Sequence, residues 1–171
     1  IERQHHLLPQ LATYHTFDFL KARRGLERML WGFFKKMVIA DQISQIINPI
    51  FENPPTQGGI LIAAAILFTY QIYCDFSGYT DIALGAASML GYDLRENFNR
   101  PFAARSFSDF WHRWHMSLST WFRDYVYFSL GGNKVSKVKS MRNILVVFLL
   151  SGFWHGANWT FIIFGLIQGA Y

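Results

Sequence analysis

Apolar residues fall along this chain in long blocks separated by short polar connectors. Residues 60–73, ILIAAAILFTYQIY, are strongly apolar, and the helical pattern continues through CDFSGYTDIALGAASMLGY. From Gly59 to Leu90 there are about 32 residues, or about 48 Å as one helix. A hydrocarbon core is only about 30 Å thick. The block therefore predicts either one long, broken helix or two helices with a break near Ser77-Gly78. A second apolar block, 143–171, is interrupted at His155-Gly156-Ala157-Asn158.

The remaining stretches are mixed. Residues 1–25 are polar and predict a connector or surface helix that Pro9 breaks early. Residues 26–51 are helical in pattern, but Lys35 and Lys36 interrupt the apolar run. That predicts a helix lying in the membrane interface or packed inside a bundle, rather than a simple lipid-facing span. Asn53, Pro54, Pro55, Gly58 and Gly59 mark a loop. Residues 91–105 are a polar connector in which Asn99-Arg100-Pro101 reads as a turn. Residues 106–130 are amphipathic and aromatic, with Ser108 as the expected N-cap. There Trp111, Trp114, Leu118 and Trp121 or Phe122 follow helical spacing, and Gly131, Gly132 and Asn133 end the segment.

Composition changes the picture from helices in general to helices in a membrane. Hydrophobic residues make up 51% and charged residues 16%, against about 25% charged in soluble domains. The net charge of +5 does not read as a nucleic-acid surface. Its basic residues sit in connectors beside apolar runs, and KVSKVKSMR (134–142) holds Lys134, Lys137, Lys139 and Arg142 with no acid. Such loops face the cytoplasm. The single cysteine, Cys74, excludes an intramolecular disulfide framework and a Cys-rich zinc site, and it reads as a buried small residue. The chain opens on Ile1 and ends in an apolar stretch, so the expectation is that 1–171 is an internal segment of one membrane domain.

Against that background the ionisable residues carry the chemistry. A helix entering the membrane at Arg142 reaches His155 after roughly 20 Å of rise, well inside the core. Gly152 and Gly156 bracket it, as small residues do where membrane helices pack closely. An ionisable group at that depth is a functional candidate by default; the structural alternative is a neutral histidine hydrogen-bonded in the interior. Ser151 and Asn158 nearby favour a water-accessible pocket. Imidazole has an unperturbed pKa near 6.5, so neutral His155 can take a proton from a hydroxyl attacking an acyl group. In WHRWHMSLSTW (111–121), His112 and His115 stand at i and i+3. A metal pair is disfavoured there, because no carboxylate has ligand spacing. An interfacial anchor, or one histidine joining His155, remains open. Asp75 and Asp81 are the other costly groups. Asp75 is placed to orient a histidine or to pair with Arg113 or Arg123, and the plainer reading is a structural ion pair. Asp124 beside Arg123 reads as a solvated helix end.

YCDFSGYTDIALG (73–85), ENFNRPF (96–102), FWHRWHMSLSTWFRDYVYFSLGG (110–132) and LSGFWHGANWTFIIFGL (150–166) resemble the membrane-bound O-acyltransferase family. They are similar above all to its bacterial branch of alginate O-acetyltransferases and teichoic-acid D-alanyl transferases. The resemblance implies an all-α, polytopic transmembrane fold, here a partial ring of helices around a central tunnel, in the bacterial plasma (inner) membrane. It implies a cytoplasmic acyl donor, acetyl-CoA or an acyl carrier, with no bound cofactor or metal. The acceptor would be a hydroxyl on an alginate-like exopolysaccharide or on a relay protein outside. His155 matches the family's essential histidine and His115 a second one; His112 is not carried over. Asn99 and Arg100 match a motif of structural or tunnel-lining role. The candidates to bind substrate or line the tunnel are Asp75, Asn99, Arg100, Trp111, Trp114, Ser117, Trp154 and Asn158. The segment alone is expected to be inactive. The rival readings are D-alanyl transfer to teichoic acid and, in another class, a proton-coupled transporter or channel using the histidines and aspartates as a relay.

Overall fold

Every element in the computed structural model, which describes residues 1–170, is helical, so the all-α expectation stands for the described residues; Tyr171, the last residue of the expected domain, lies outside them. The helices gather into two compact units, Glu2–Glu96 and the chain from Asn97 onward.

In the first unit, α1 (Gln4–Leu11) is followed by α2 (Phe19–Phe33), a π-helical turn (Phe34–Ala40), α3 (Asp41–Glu52) and α4 (Gly58–Met89). Pro9 lies inside α1 rather than ending it. Lying beyond the first turn, it forgoes the backbone bond that an N–H there would make to the residue four before it. Asp18 caps α2, its carboxylate accepting from the backbone N–H groups of Leu20 and Lys21.

Helix α4 is one unbroken helix of 32 residues. The expected break at Ser77-Gly78 does not occur, and the packing explains why. Gly78 serves close approach, not a hinge. A Cβ built on Gly78 would lie 2.8 Å from the carbonyl oxygen of Gly32, and one on Gly32 would lie 2.7 Å from that of Gly78. Gly25 and Gly85 meet in the same reciprocal way one stretch along. Two glycines on α2 thus face two on α4, and the backbones touch where any side chain would hold them apart. Among the described residues α4 is the one helix long and apolar enough to cross a membrane.

The lysines that interrupt the apolar run serve the aspartates of α4. The π-helical turn delivers both. Lys35, only 8% exposed, donates to Asp81 at 2.5 Å and to the Ser77 hydroxyl at 3.0 Å. Lys36 pairs with Asp75 at 2.6 Å and with Asp41 at 2.9 Å. Arg28 adds a bond to Asp81 at 2.9 Å and grips both oxygens of Glu96. Asp75 therefore pairs with a lysine; Arg113 and Arg123 are taken by Asp109 and Asp124. Cys74 is buried, as expected.

The second unit holds a 3₁₀ turn (Pro101–Ala103), α5 (Phe107–Trp111), α6 (Met116–Phe122), a π-helical turn (Arg123–Tyr127), α7 (Lys137–His155) and α8 (Trp159–Ala170). The amphipathic stretch 106–130 is not one helix. Ser106 rather than Ser108 supplies the N-cap, accepting from the N–H of Asp109, and the helix stops at 112–115 before α6 begins. Gly131 and Gly132 take positive φ and close the segment where expected. Asn143, fully buried, donates to the carbonyls of Leu130 and Gly132 at 3.0 and 3.3 Å and so ties α7 to that glycine loop. Helices α7 and α8 pack through glycines; a Cβ on Gly165 would lie 2.5 Å from the Phe148 carbonyl oxygen. His155 is the last residue of α7.

The two aspartates of α4 should differ sharply when truncated. Asp81→Ala leaves Lys35 charged and unpaired in the interior and is expected to cost about 3–5 kcal/mol. Asp75→Ala removes a half-exposed pair and should cost under about 1 kcal/mol. Thermal unfolding of the two full-length variants in detergent, followed by size-exclusion fluorescence, ranks them. Equal shifts would show that Asp81 is not the structural hub.

Candidate active site

Residues 97–99 run beside 113–117 and hold them in an unusual shape. The Asn99 N–H donates to the carbonyl of Arg113, and the Met116 N–H to the carbonyl of Asn97, both at 2.9 Å. Between these bonds His115 adopts φ 44° and ψ 50°, the left-handed region. For an L-residue that conformation costs about 1–2 kcal/mol. It persists because its surroundings over-determine it. The side-chain oxygen of Asn97, a 7% exposed residue, accepts from the Ser117 N–H at 3.1 Å and from its hydroxyl at 2.9 Å. The same oxygen meets Nδ1 of His115 at 3.2 Å.

Arg100 is the second left-handed residue, at φ 46° and ψ 59°. The expected turn is there, and the buried Pro101 that follows starts the 3₁₀ turn. Trp114 packs edge-on to Phe98, centroids 5.1 Å apart, and stacks on Phe110 at 5.5 Å. Trp111 meets Phe148 of α7 edge-on at 5.3 Å. Its indole N–H is buried without an acceptor among the described residues, which costs about 1–3 kcal/mol.

His155 ends α7, exposed, its ring stacked 6.2 Å from that of Phe161. The two expected histidines belong to the same compact unit. Burial first, and the charge of His155 second, push the His115 imidazole down to about 4. His115 is therefore neutral at physiological pH.

The other candidates separate by role. Ser117 is buried and committed to Asn97. The Asn158 side-chain oxygen accepts from the N–H and hydroxyl of Thr160, at 3.1 and 3.2 Å, at the start of α8. Trp154 is exposed. His112 is exposed and bonds the Ser108 carbonyl. Asp75 belongs to the first unit with Lys36. Asn97 was missed in the sequence. It stands in the quoted ENFNRPF motif, but nothing local distinguishes it from Asn99, because its partners lie far along the chain.

Comparison with known proteins adds the following. The family model for the membrane-bound O-acyltransferase family matches residues 7–171. The chain is 47% identical, over 92% of its length, to the protein named "Probable alginate O-acetylase AlgI" of Azotobacter vinelandii, and covers 31% of that protein. It is 43% identical to the peptidoglycan O-acetyltransferase of Helicobacter pylori, over 96% of this chain and 32% of that one. It is 38% identical to the teichoic acid D-alanyltransferase of Bacillus subtilis, over 83% of this chain and 38% of that one. The chain thus spans about a third of the length of these relatives.

The left-handed backbone at position 115 has a consequence separable from chemistry. Asn tolerates that region and β-branched residues do not. His115→Val should therefore be less stable than His115→Asn by about 1–2 kcal/mol, read as a lower detergent Tm in the full-length protein. Identical Tm values would mean that position 115 carries no such constraint.

Proposed function

The chain belongs to the membrane-bound O-acyltransferase family, and from that premise we propose that the full-length protein transfers an acetyl group across the bacterial plasma membrane to a hydroxyl. The donor is a cytoplasmic acetyl thioester, acetyl-CoA or an acyl carrier. The acceptor is an alginate-like exopolysaccharide or a protein outside the membrane that relays the acetyl group to one. Residues 1–171 form part of one multi-pass membrane domain, a ring of helices around a tunnel in which donor and acceptor meet. The candidates Asn99, Arg100, Trp111, Trp114, Trp154 and Asn158 line or brace that tunnel, and Asp75 serves its own unit by pairing with Lys36.

The observation that carries the reading is the buried Asn97–Ser117 network that holds His115, kept neutral by burial, in the same compact unit as His155. Acetyl transfer needs a proton removed from the acceptor hydroxyl as its oxygen attacks the thioester carbonyl carbon. His155 takes that proton as general base. The tetrahedral intermediate then collapses, the C–S bond breaks, and the thiol leaves with a proton. His115 binds or orients the reacting groups. No acyl-histidine is required. The acetyl-transferring relatives exceed the D-alanyl-transferring one in identity, which supports acetyl over D-alanyl.

Ester-linked acetyl on the secreted polysaccharide is the direct readout, compared at matched membrane levels of wild type, His155→Ala and His115→Ala. The expected loss is about 10²–10⁴-fold for His155→Ala and smaller for His115→Ala. Full acetylation in both variants would sink the assignment, and a proton-coupled transporter would replace it.

A further inference from the structure

We propose that Asn97 is a positioning residue that locks His115 in the tautomer bearing its proton on Nδ1. The argument begins with the amide. A backbone N–H can only donate, so the Asn97 atom that faces the Ser117 N–H at 3.1 Å is its oxygen. An oxygen in an amide only accepts. The same oxygen lies 3.2 Å from Nδ1 of His115, so Nδ1 must carry the hydrogen. In a neutral imidazole one nitrogen donates and the other accepts. With the proton fixed on Nδ1, the lone pair belongs to Nε2.

The backbone serves the same end. The Asn97 carbonyl takes the Met116 N–H, and its side chain takes the N–H and hydroxyl of Ser117. One asparagine thus secures the two residues that follow His115. It pins the left-handed backbone and the ring together, which sets where Nε2 points. Orientation and tautomer of a histidine are commonly governed by a bond at its other nitrogen; here an uncharged amide supplies it.

The inference rests on the reading that His115 takes part in transfer, and the test separates the two. The first measurement is the ¹⁵N spectrum of full-length protein labelled at histidine nitrogens, in detergent at neutral pH, with His115→Gln to assign the ring. The expected result is a protonated Nδ1 and an unprotonated Nε2 at His115. A proton on Nε2 overturns the proposal, and this measurement needs no variant of Asn97 to fold. The second is kinetic. Asn97→Ala should lower kcat by no more than His115→Ala does, with little change in KM for the donor. Asn97→Asp keeps an acceptor oxygen and should recover most of that loss. Equal losses in the two variants would assign Asn97 a merely structural role. If His115→Ala transfers acetyl at the wild-type rate, the functional reading fails on its own, whatever the tautomer.

Discussion

A carboxylate on an apolar helix must be met by a cation, and Asp81 on α4 is met by two. Removing a charge from water costs several kcal/mol unless a partner and further hydrogen bonds compensate. Lys35 and Arg28 both reach Asp81, Ser77 shares the Lys35 ammonium, and Glu96 completes Arg28. That one requirement shapes much of the first unit. It draws α2 against α4, closely enough that only glycines suit the crossing points. It also accounts for the π-helical turn at Phe34–Ala40, which delivers two consecutive lysines to one neighbouring helix.

The second unit obeys the same rule with amides instead of charges. Buried polar groups must be hydrogen-bonded, and Asn97 and Asn143 each satisfy backbone groups from a distant segment. Asn143 fastens the start of α7 to the glycine loop. Asn97 fastens residues 115–117. A buried amide with several partners is directional, so it specifies one arrangement where apolar packing would allow several. The strained backbone of His115 is tolerable only against such a constraint.

What could be read from the residues and what could not divide along sequence distance. The apolar run 60–73 announced α4, Gly131-Gly132 announced the end of the aromatic segment, and Gly156 and Asn158 announced the break between α7 and α8. These are local signals. The reading of Ser77-Gly78 as a break failed because a glycine's purpose depends on what approaches it, here Gly32 on another helix. Lys35 and Lys36 were recognised as anomalies in an apolar run, but not as the partners of Asp81 and Asp75. The amphipathic stretch 106–130 was legible as helical and aromatic. Its interruption at His115 was not, since the bonds that cause it come from Asn97. His115 and His155 were singled out through the motifs containing them; the residue that holds His115 had no local mark.

The choice of an amide at position 97 bears on how the proposed transfer divides its labour. A carboxylate bonded to Nδ1 would stabilise the imidazolium and make His115 a stronger base. An amide orients the ring without adding charge, so burial decides, and His115 stays neutral well below physiological pH. A ring so disposed is a poor proton sink but a well-aimed acceptor. The reacting hydroxyl has a single proton, which His155 takes in the proposed transfer, so Nε2 of His115 suits accepting from another O–H or N–H of the reacting groups and holding them in one orientation. His155, at the exposed end of α7 beside the turn to α8, has no carboxylate or amide bound to its ring among the described hydrogen bonds. Two histidines with unlike supports in one unit are what a reaction needs when one must position and the other must change protonation state.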